Sequence, residues 1–389
     1  MYYRVNKIEQ LIMEKNILVF AAAIELSLDS PSGIMKKVFS EAKVLEDSFD
    51  VFLWGFNKKS IIFIHNGIVT VVARYNNSFE KRRLFFSKIV SFTRASGAVA
   101  FYYRYSSCDL ILLKALRELS SNKRKCVLEI PTYPYKREYM NTIKNRILYI
   151  LDWATRWRLK RYVDRVVNFT RIPKRIFGIP CIATTNGFDF HSTSVVSAPS
   201  LDPIRLIAVS SMLPHHGYDR IIKGAKHYHD TTKSNMIKLY LVGDGPELHK
   251  YKKMVEDYHL EDIVVFSGRL NGKSLDDLFD ISTAAISSLG LHRLGLSVVS
   301  TLKIREYVSR GLPVIYSTTD EVLEGKSFGL EFPADESPID LDTVIAFVKS
   351  MYQNKDINNQ IRKETFDLCD MTVVMKPVKD YILSSIETR

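Results

Sequence analysis

Four side chains in one stretch, LGLHRLGLSVVSTLKIREYVSRGLPVIYS at 289–317, have types and spacing suited to holding an anion and a sugar: His292, Arg293, Lys303 and Glu306. The stretch reads as a glycine-punctuated loop, then a helix over 300–310 stopped by Gly311, then a buried strand behind Pro313. The start of a helix collects anions, because its first N–H groups lack partners and the helix dipole is positive there. A carboxylate just inside such a helix accepts hydrogen bonds from sugar hydroxyls. In the first half, Arg104 and Tyr105 follow a strand at 98–103. Glu129 sits at the end of a strand at 126–130, before a stiff loop holding Tyr133 and Tyr135. Ligands of open α/β sheets gather at such strand ends. Glu129 there is either a working carboxylate or a brace for its loop.

These side chains need elements to carry them. NILVFAAA at 16–23 is a near-continuous apolar run, as expected of a buried parallel strand. It leads through Ser30-Pro31-Ser32-Gly33 into a helix at 34–46, a doubly wound opening in which Gly33 is a candidate wall of a cleft. No GxGxxG is present. Asn66-Gly67 between apolar runs predicts a hairpin. Two basic amphipathic helices follow, one over 79–92 and one long helix over 139–164 with Ile143, Ile147, Ile150, Ala154 and Trp157 on one side. Each either lies on an anionic bilayer or leaves a basic face in water. A Ser-, Thr- and Pro-containing segment at 191–200 reads as a linker, after which strand–helix alternation restarts. The prediction is an α/β fold of two doubly wound, Rossmann-like domains facing across a cleft. Their bounds are 1–190 and 201–370, and a helix at 371–389 crosses back to the first domain.

A chain of 389 residues suits two domains. No apolar run is long enough for a membrane-spanning helix, and the leading MYYRVNKIEQLIMEKN has no apolar core of a signal peptide. Cys108, Cys126, Cys181 and Cys369 lie far apart, which fits a reducing compartment and gives no metal site. Residues 1–190 hold 32 lysines and arginines against 16 aspartates and glutamates; residues 191–389 hold 23 against 27. The basic half points toward an anionic partner: a membrane surface, a phosphorylated acceptor or nucleic acid.

From Asn186 on, the chain resembles the family-4 glycosyltransferases of the GT-B fold. Asn186-Gly187-Phe188-Asp189, LYLVGDGPELHK at 239–250, VVFSG at 264–268 and EYVSRGLPVI at 306–315 look like successive motifs of that family. The resemblance implies transfer of a sugar from a UDP- or GDP-linked donor, with retention of configuration, no cofactor and no divalent metal. It implies that Glu306 is the second glutamate of the family's paired-glutamate motif, the one that contacts the donor ribose. Val298 stands where the first would be, so His292 is the expected substitute, with Gly295 and Leu296 offering backbone amides. Where the family carries Arg and Lys on the diphosphate, this chain has Ser211 and His216, followed by Gly217; Arg293 or Lys303 then supplies the missing cation. Gly243 and Gly245 belong to the donor loop. HGYDR at 216–220 and the block at 291–307 resemble the polysaccharide-assembly members.

The expected function is therefore a retaining, metal-independent glycosyltransferase in envelope polysaccharide synthesis, acting on a lipid-linked or growing glycan. The assignment of residues has Glu306, His292, Arg293 and Glu129 as catalytic. Ser211, His216, Gly217, Gly243, Gly245, Gly295, Leu296, Lys303 and Glu306 bind the donor. Gly33, Arg104 and Tyr133 face the acceptor. The expected place is the cytoplasmic face of a bacterial cell membrane, touched through the basic half, with no nucleic acid bound. The alternatives are a non-catalytic sugar- or nucleic-acid-binding protein that keeps the fold, or a GT-B epimerase or phosphorylase.

Overall fold

The computed structural model describes residues 15–29, 32–120, 124–140, 142–169, 173–197, 199–232 and 236–384. The signal-peptide expectation falls on residues 1–14, and Ser30 and Pro31 of the expected cleft loop also lie outside the described residues. The chain forms two compact units. The first comprises residues 1–185 with 375–389, and the second runs from Asn186 to Val374. The segment expected as a linker thus lies inside the second unit.

The first unit is built on strands β1 (Ile17–Glu25), β2 (Asp50–Asn57), β3 (Ser60–His65), β4 (Ile68–Arg74), β5 (Ala100–Arg104), β6 (Lys125–Ile130), β7 (Arg165–Asn168), β8 (Arg175–Ile176) and β9 (Ile179–Ala183). They form one sheet in the order β4-β3-β2-β1-β5-β6-β7-β9-β8. The centre is parallel, and β2-β3-β4 is an antiparallel meander closed by the Asn66-Gly67 turn. β1 is apolar on both faces because both are covered: Leu18, Val19, Phe20 and Ala21 have no exposure. Helix α1 (Gly33–Glu46) starts on Ser32, whose hydroxyl accepts from the Met35 amide. Helix α2 (Ser78–Ala95) buries Phe85, Phe86, Ile89 and Val90 against the sheet. Most of its apolar stripe is spent on the core, while Phe79 at its start is exposed. Helix α3 (Leu110–Leu119) packs beside it.

The long helix expected over 139–164 is broken. A 3₁₀ turn covers Lys136–Tyr139, α4 runs from Ile143 to Thr155, and a second 3₁₀ turn covers Arg156–Arg161. Thr142 caps a new start for α4 through the Asn145 amide, and Asp152 within α4 meets Tyr105, Tyr135 and the Cys108 amide.

The second unit holds a six-stranded, all-parallel sheet. Its strands are β10 (Ile204–Ser210), β11 (Ile237–Gly243), β12 (Val264–Gly268), β13 (Ala284–Ile286), β15 (Val314–Tyr316) and β17 (Gly329–Glu331), ordered β12-β11-β10-β13-β15-β17. The two-residue strands β14 (Val298–Val299) and β16 (Thr319–Asp320) pair separately. Helices α5 (Tyr218–Thr232), α6 (Leu248–Asp257), α7 (Gly272–Asp280), α8 (Leu302–Ser309), α9 (Leu341–Met351) and α10 (Ile357–Cys369) surround the sheet, and α11 (Met371–Ser384) continues from the second unit into the first. No helix among the described residues is long and apolar enough to cross a membrane.

Candidate functional site

The carboxyl ends of β10, β11 and β13 are held together by backbone rather than side chains. Gly243 has φ +124°, and a Cβ there would lie 1.8 Å from the Ser210 carbonyl oxygen. Gly245 covers the Ser211 carbonyl in the same way. Gly217, at φ +66°, lies against the backbone of Leu289 and Gly290, and the Leu289 amide donates to the His216 carbonyl at 2.8 Å. No larger residue fits at these positions. The loop after β10 is thereby fixed against the loops after β11 and β13, and the exposed Ser211 sits at the junction.

Lys303, at the start of α8, points back to this junction. Its Nζ donates to Ser288 Oγ at 3.1 Å and reaches Tyr218 Oη at 3.5 Å. Among the described residues no carboxylate lies within ion-pair distance of it. Burial pushes its amine down to about 7. A lysine held without a counter-charge is a site short of one anion.

His216 stacks on Tyr218 with ring centroids 5.9 Å apart. Its Nδ1 accepts the Leu213 amide at 3.0 Å, so the neutral ring carries its proton on Nε2. Burial, then Lys303 and His215, push it down to about 2. His216 is therefore an uncharged donor at every physiological pH. His216, expected in the place of the family's lysine, brings no charge there; the neighbouring amine is Lys303, whose Nζ reaches Tyr218, the ring on which His216 stacks.

Glu306 lies one turn along α8 from Lys303, on the same face. Its Oε1 meets Arg310 Nη2 at 3.3 Å, and Arg310 is also held by Asp276 at 2.7 Å. Oε2 has no hydrogen-bond partner among the described residues. Val298, where a first glutamate was sought, is an exposed residue in the β14–β16 pairing.

The block at 291–296 does something other than expected. Arg293 donates from Nε and Nη2 to Glu336 at 2.8 and 2.5 Å, from Nη1 to the Pro214 carbonyl at 2.6 Å, and from Nη1 and Nη2 to Asp219 at 3.1 and 2.9 Å. All three guanidinium nitrogens are committed, so none is left for a diphosphate or a reacting group. His292 Nε2 lies 2.7 Å from the same Glu336, while its buried Nδ1 has no partner. Hydrogen bonds from Arg293, with His292 beside it, hold Glu336 down to about 2. The Gly295 amide turns inward to the His292 carbonyl and the Leu296 amide to that of Leu291. The block is a clasp between three loops. Arg220 reinforces it, fully buried and bound to the carbonyls of Leu289, Pro333 and Ser337.

In the first unit, Glu129 and Arg104 meet each other rather than solvent. Glu129 is fully buried, ion-paired to Arg104 and to Lys37 (3.1 Å), and accepts from Tyr102 Oη at 3.1 Å. Burial alone would raise its carboxyl; Arg104 and Lys37 outweigh burial and hold it below the ordinary value. Glu41, also buried and 3.0 Å from Lys37, is pushed up to about 7 by burial and by Glu129. This network braces α1 on β5 and β6, so Glu129 answers to the second of its two readings. Tyr133 packs edge-on to Tyr135 and Phe177. Gly33 is exposed, with nothing within 4 Å of where a Cβ would be.

The structure thus gathers Ser211, His216, Gly217, Gly243, Gly245, Lys303 and Glu306 at one end of the second sheet. It assigns His292, Arg293, Gly295 and Leu296 to the clasp. Ser288, Asp219 and Glu336 were not anticipated. Glu336 lies in the irregular segment after β17 and carries no periodic signal. Lys37 and Glu41 had one: an i, i+4 pair beside the apolar stripe of Val38, Ala42 and Leu45.

A family model, Glycosyl transferases group 1, matches residues 192–324. No curated protein sequence matches the chain. Several solved structures are similar. A glycosyltransferase from Rickettsia africae is 12% identical, with 97% of this chain and 100% of that one covered and a TM-score of 0.65. HepE from Anabaena, in complex with UDP, is 15% identical, covering 95% and 100%, with a TM-score of 0.65. Sucrose-phosphate synthase from Thermosynechococcus elongatus is 12% identical, covering 95% and 100%, with a TM-score of 0.64. Residues 192–324 thus match the group 1 glycosyl transferases, and the chain as a whole has the GT-B fold of these solved glycosyltransferases.

Proposed function

We propose that the chain moves a glycosyl group from a UDP- or GDP-linked sugar to a lipid-linked or growing glycan in envelope polysaccharide synthesis. The transfer retains configuration, needs no divalent metal and takes place at the inner face of the cell membrane. One observation supports this above the others: Lys303 is an amine with no counter-charge among the described residues, near the uncharged donor His216 and one turn from the unpartnered oxygen of Glu306. A nucleotide diphosphate supplies the missing anion. Its leaving-group charge grows during transfer and is met by a cation already in place. The ribose hydroxyls then fall to Glu306.

The bound nucleotide in HepE supports UDP as the first ligand to try. The melting temperature is followed with UDP, GDP and ADP in the presence of a metal chelator. Stabilisation by UDP or GDP is the expected result; no shift with any nucleotide refutes the donor site. Glu306→Ala should weaken the nucleotide that binds by about 1.5–3 kcal/mol, the usual cost of removing a charged hydrogen-bond partner.

A further inference from the structure

Helix α4 faces the wrong way for a core helix. Ile143, Ile147, Ile150, Leu151 and Ala154 recur at helical spacing and make one stripe, yet all are exposed: Ile143 by 76%, Ile147 by 54% and Ile150 by 61%. Trp153 beside them is 64% exposed, and Trp157 follows on the next turn. The only buried side chain of the helix is the acid, Asp152. It is fixed by the Tyr105 hydroxyl, by the Tyr135 hydroxyl at 2.7 Å, by the Cys108 amide at 2.8 Å and by Arg156 at 3.3 Å. A polar anchor therefore holds the helix while its apolar side faces outward. α2 shows the ordinary arrangement in the same unit, with Phe85, Phe86, Ile89 and Val90 buried.

The charges around the stripe carry one sign. Lys144 and Arg146 flank it on opposite sides, and Arg158, Lys160 and Arg161 follow; all five are exposed. The one acid of 143–161 is the buried Asp152. We propose that α4 and the turn after it form a docking surface for an anionic phospholipid bilayer. The helix lies in the interface plane, its isoleucines among the acyl chains, its tryptophans at headgroup level and its lysine and arginines on lipid phosphates. This names the surface for the inner-face location proposed above, and it rests on no feature of the donor site.

The test uses the full chain, without donor or acceptor, and vesicles of phosphatidylcholine with or without phosphatidylglycerol. Flotation should carry the protein up only with the anionic vesicles at low salt, and high salt should release much of it. The fluorescence of Trp153 and Trp157 should shift to the blue; Trp54, the remaining tryptophan, is buried and stays silent. Ile147→Glu with Ile150→Glu should lower binding by at least about tenfold, since two buried isoleucines are lost and charge is added against like charge. Lys144→Glu with Arg146→Glu should lower it on anionic vesicles alone. Both variants alter exposed side chains and should keep the wild-type melting temperature and nucleotide response, so this test fails or succeeds apart from the donor site. Wild-type protein that stays at the bottom of the gradient at low salt overturns the proposal. So does equal binding by the isoleucine variant. Self-association without lipid that the same substitutions abolish also overturns it, since the stripe would then be a contact between copies. If deleting residues 1–14 is required before any vesicle binds, the leading segment covers the stripe and the proposal fails.

Discussion

Lys303 holds a proton at about pH 7 and loses it readily above that. A bound diphosphate favours the charged form, so binding takes up a proton wherever the free amine is neutral. Affinity for the nucleotide should then fall as pH rises past about 7, by up to about tenfold per pH unit. Calorimetric titration at about pH 6.5 and about pH 9 reads this directly. Lys303→Met should bind weakly and without that slope; Lys303→Arg should hold its affinity at the higher pH because arginine stays charged. Equal wild-type affinity at both ends of the range would sink the assignment. The sequence offered two cations for this point, Arg293 and Lys303, and no way to choose between them. The choice is made by Asp219 and Glu336, which consume Arg293 and leave Lys303 alone, and Glu336 lies 43 residues beyond its partner.

At the scale of elements, the glycines separate into those the fold needs and those it does not. Gly243→Ala puts a methyl group 1.8 Å from the Ser210 oxygen at a backbone angle that L residues avoid. It should cost about 3 kcal/mol or more, read as a lower denaturation midpoint. Gly33→Ala meets nothing and should leave stability unchanged or slightly higher. If that variant binds nucleotide normally but turns over acceptor slowly, an acceptor approaches α1 closely; unchanged turnover removes Gly33 from the acceptor side. Glu41 makes a separate prediction. Its folded-state carboxyl titrates near 7, above the ordinary value of 4.5, so the folded protein binds the proton more tightly than the unfolded chain between those pH values. Its contribution is lost as pH rises through that window. Glu41→Gln should therefore raise the melting temperature relative to wild type near pH 8, and the gain should shrink toward pH 5. A gain that is the same at both would refute it. Strands were legible wherever burial on both faces gave apolar runs, as in β1 and β11, and the Asn66-Gly67 hairpin was legible from turn chemistry. The break in the helix at 139–164 was not, because a threonine inside an apolar period reads as an ordinary helix residue until its hydroxyl is seen to accept the Asn145 amide.

At the scale of the molecule, the charge asymmetry was visible in composition, and the structure locates part of it on one exposed face. A helix at 371–389 was expected to cross back, and residues 375–389 belong to the first unit. The first unit needs its last segment from residues 375–389, some 190 positions after its main body ends at Thr185. Met375, Val378 and Ile382 on α11 are almost wholly buried. Tyr381 lies over Lys125 and Arg165, and Lys379 pairs with Asp47 at 3.8 Å. A chain cut after Val374 keeps every strand of the first sheet but loses these contacts. Each of the three apolar side chains is worth about 2–5 kcal/mol when truncated to alanine in a core, so the cut exceeds what a marginally stable domain tolerates. The shortened chain should melt well below the full one, and near-ultraviolet circular dichroism should show disturbed tyrosine packing. Ile382→Ala in the full chain should lower stability in the same direction by a few kcal/mol, while Lys379→Ala, which breaks one partly exposed pair, should cost under about 1 kcal/mol. If the cut leaves the melting transition where it was, α11 is an ornament on the first unit rather than part of its core.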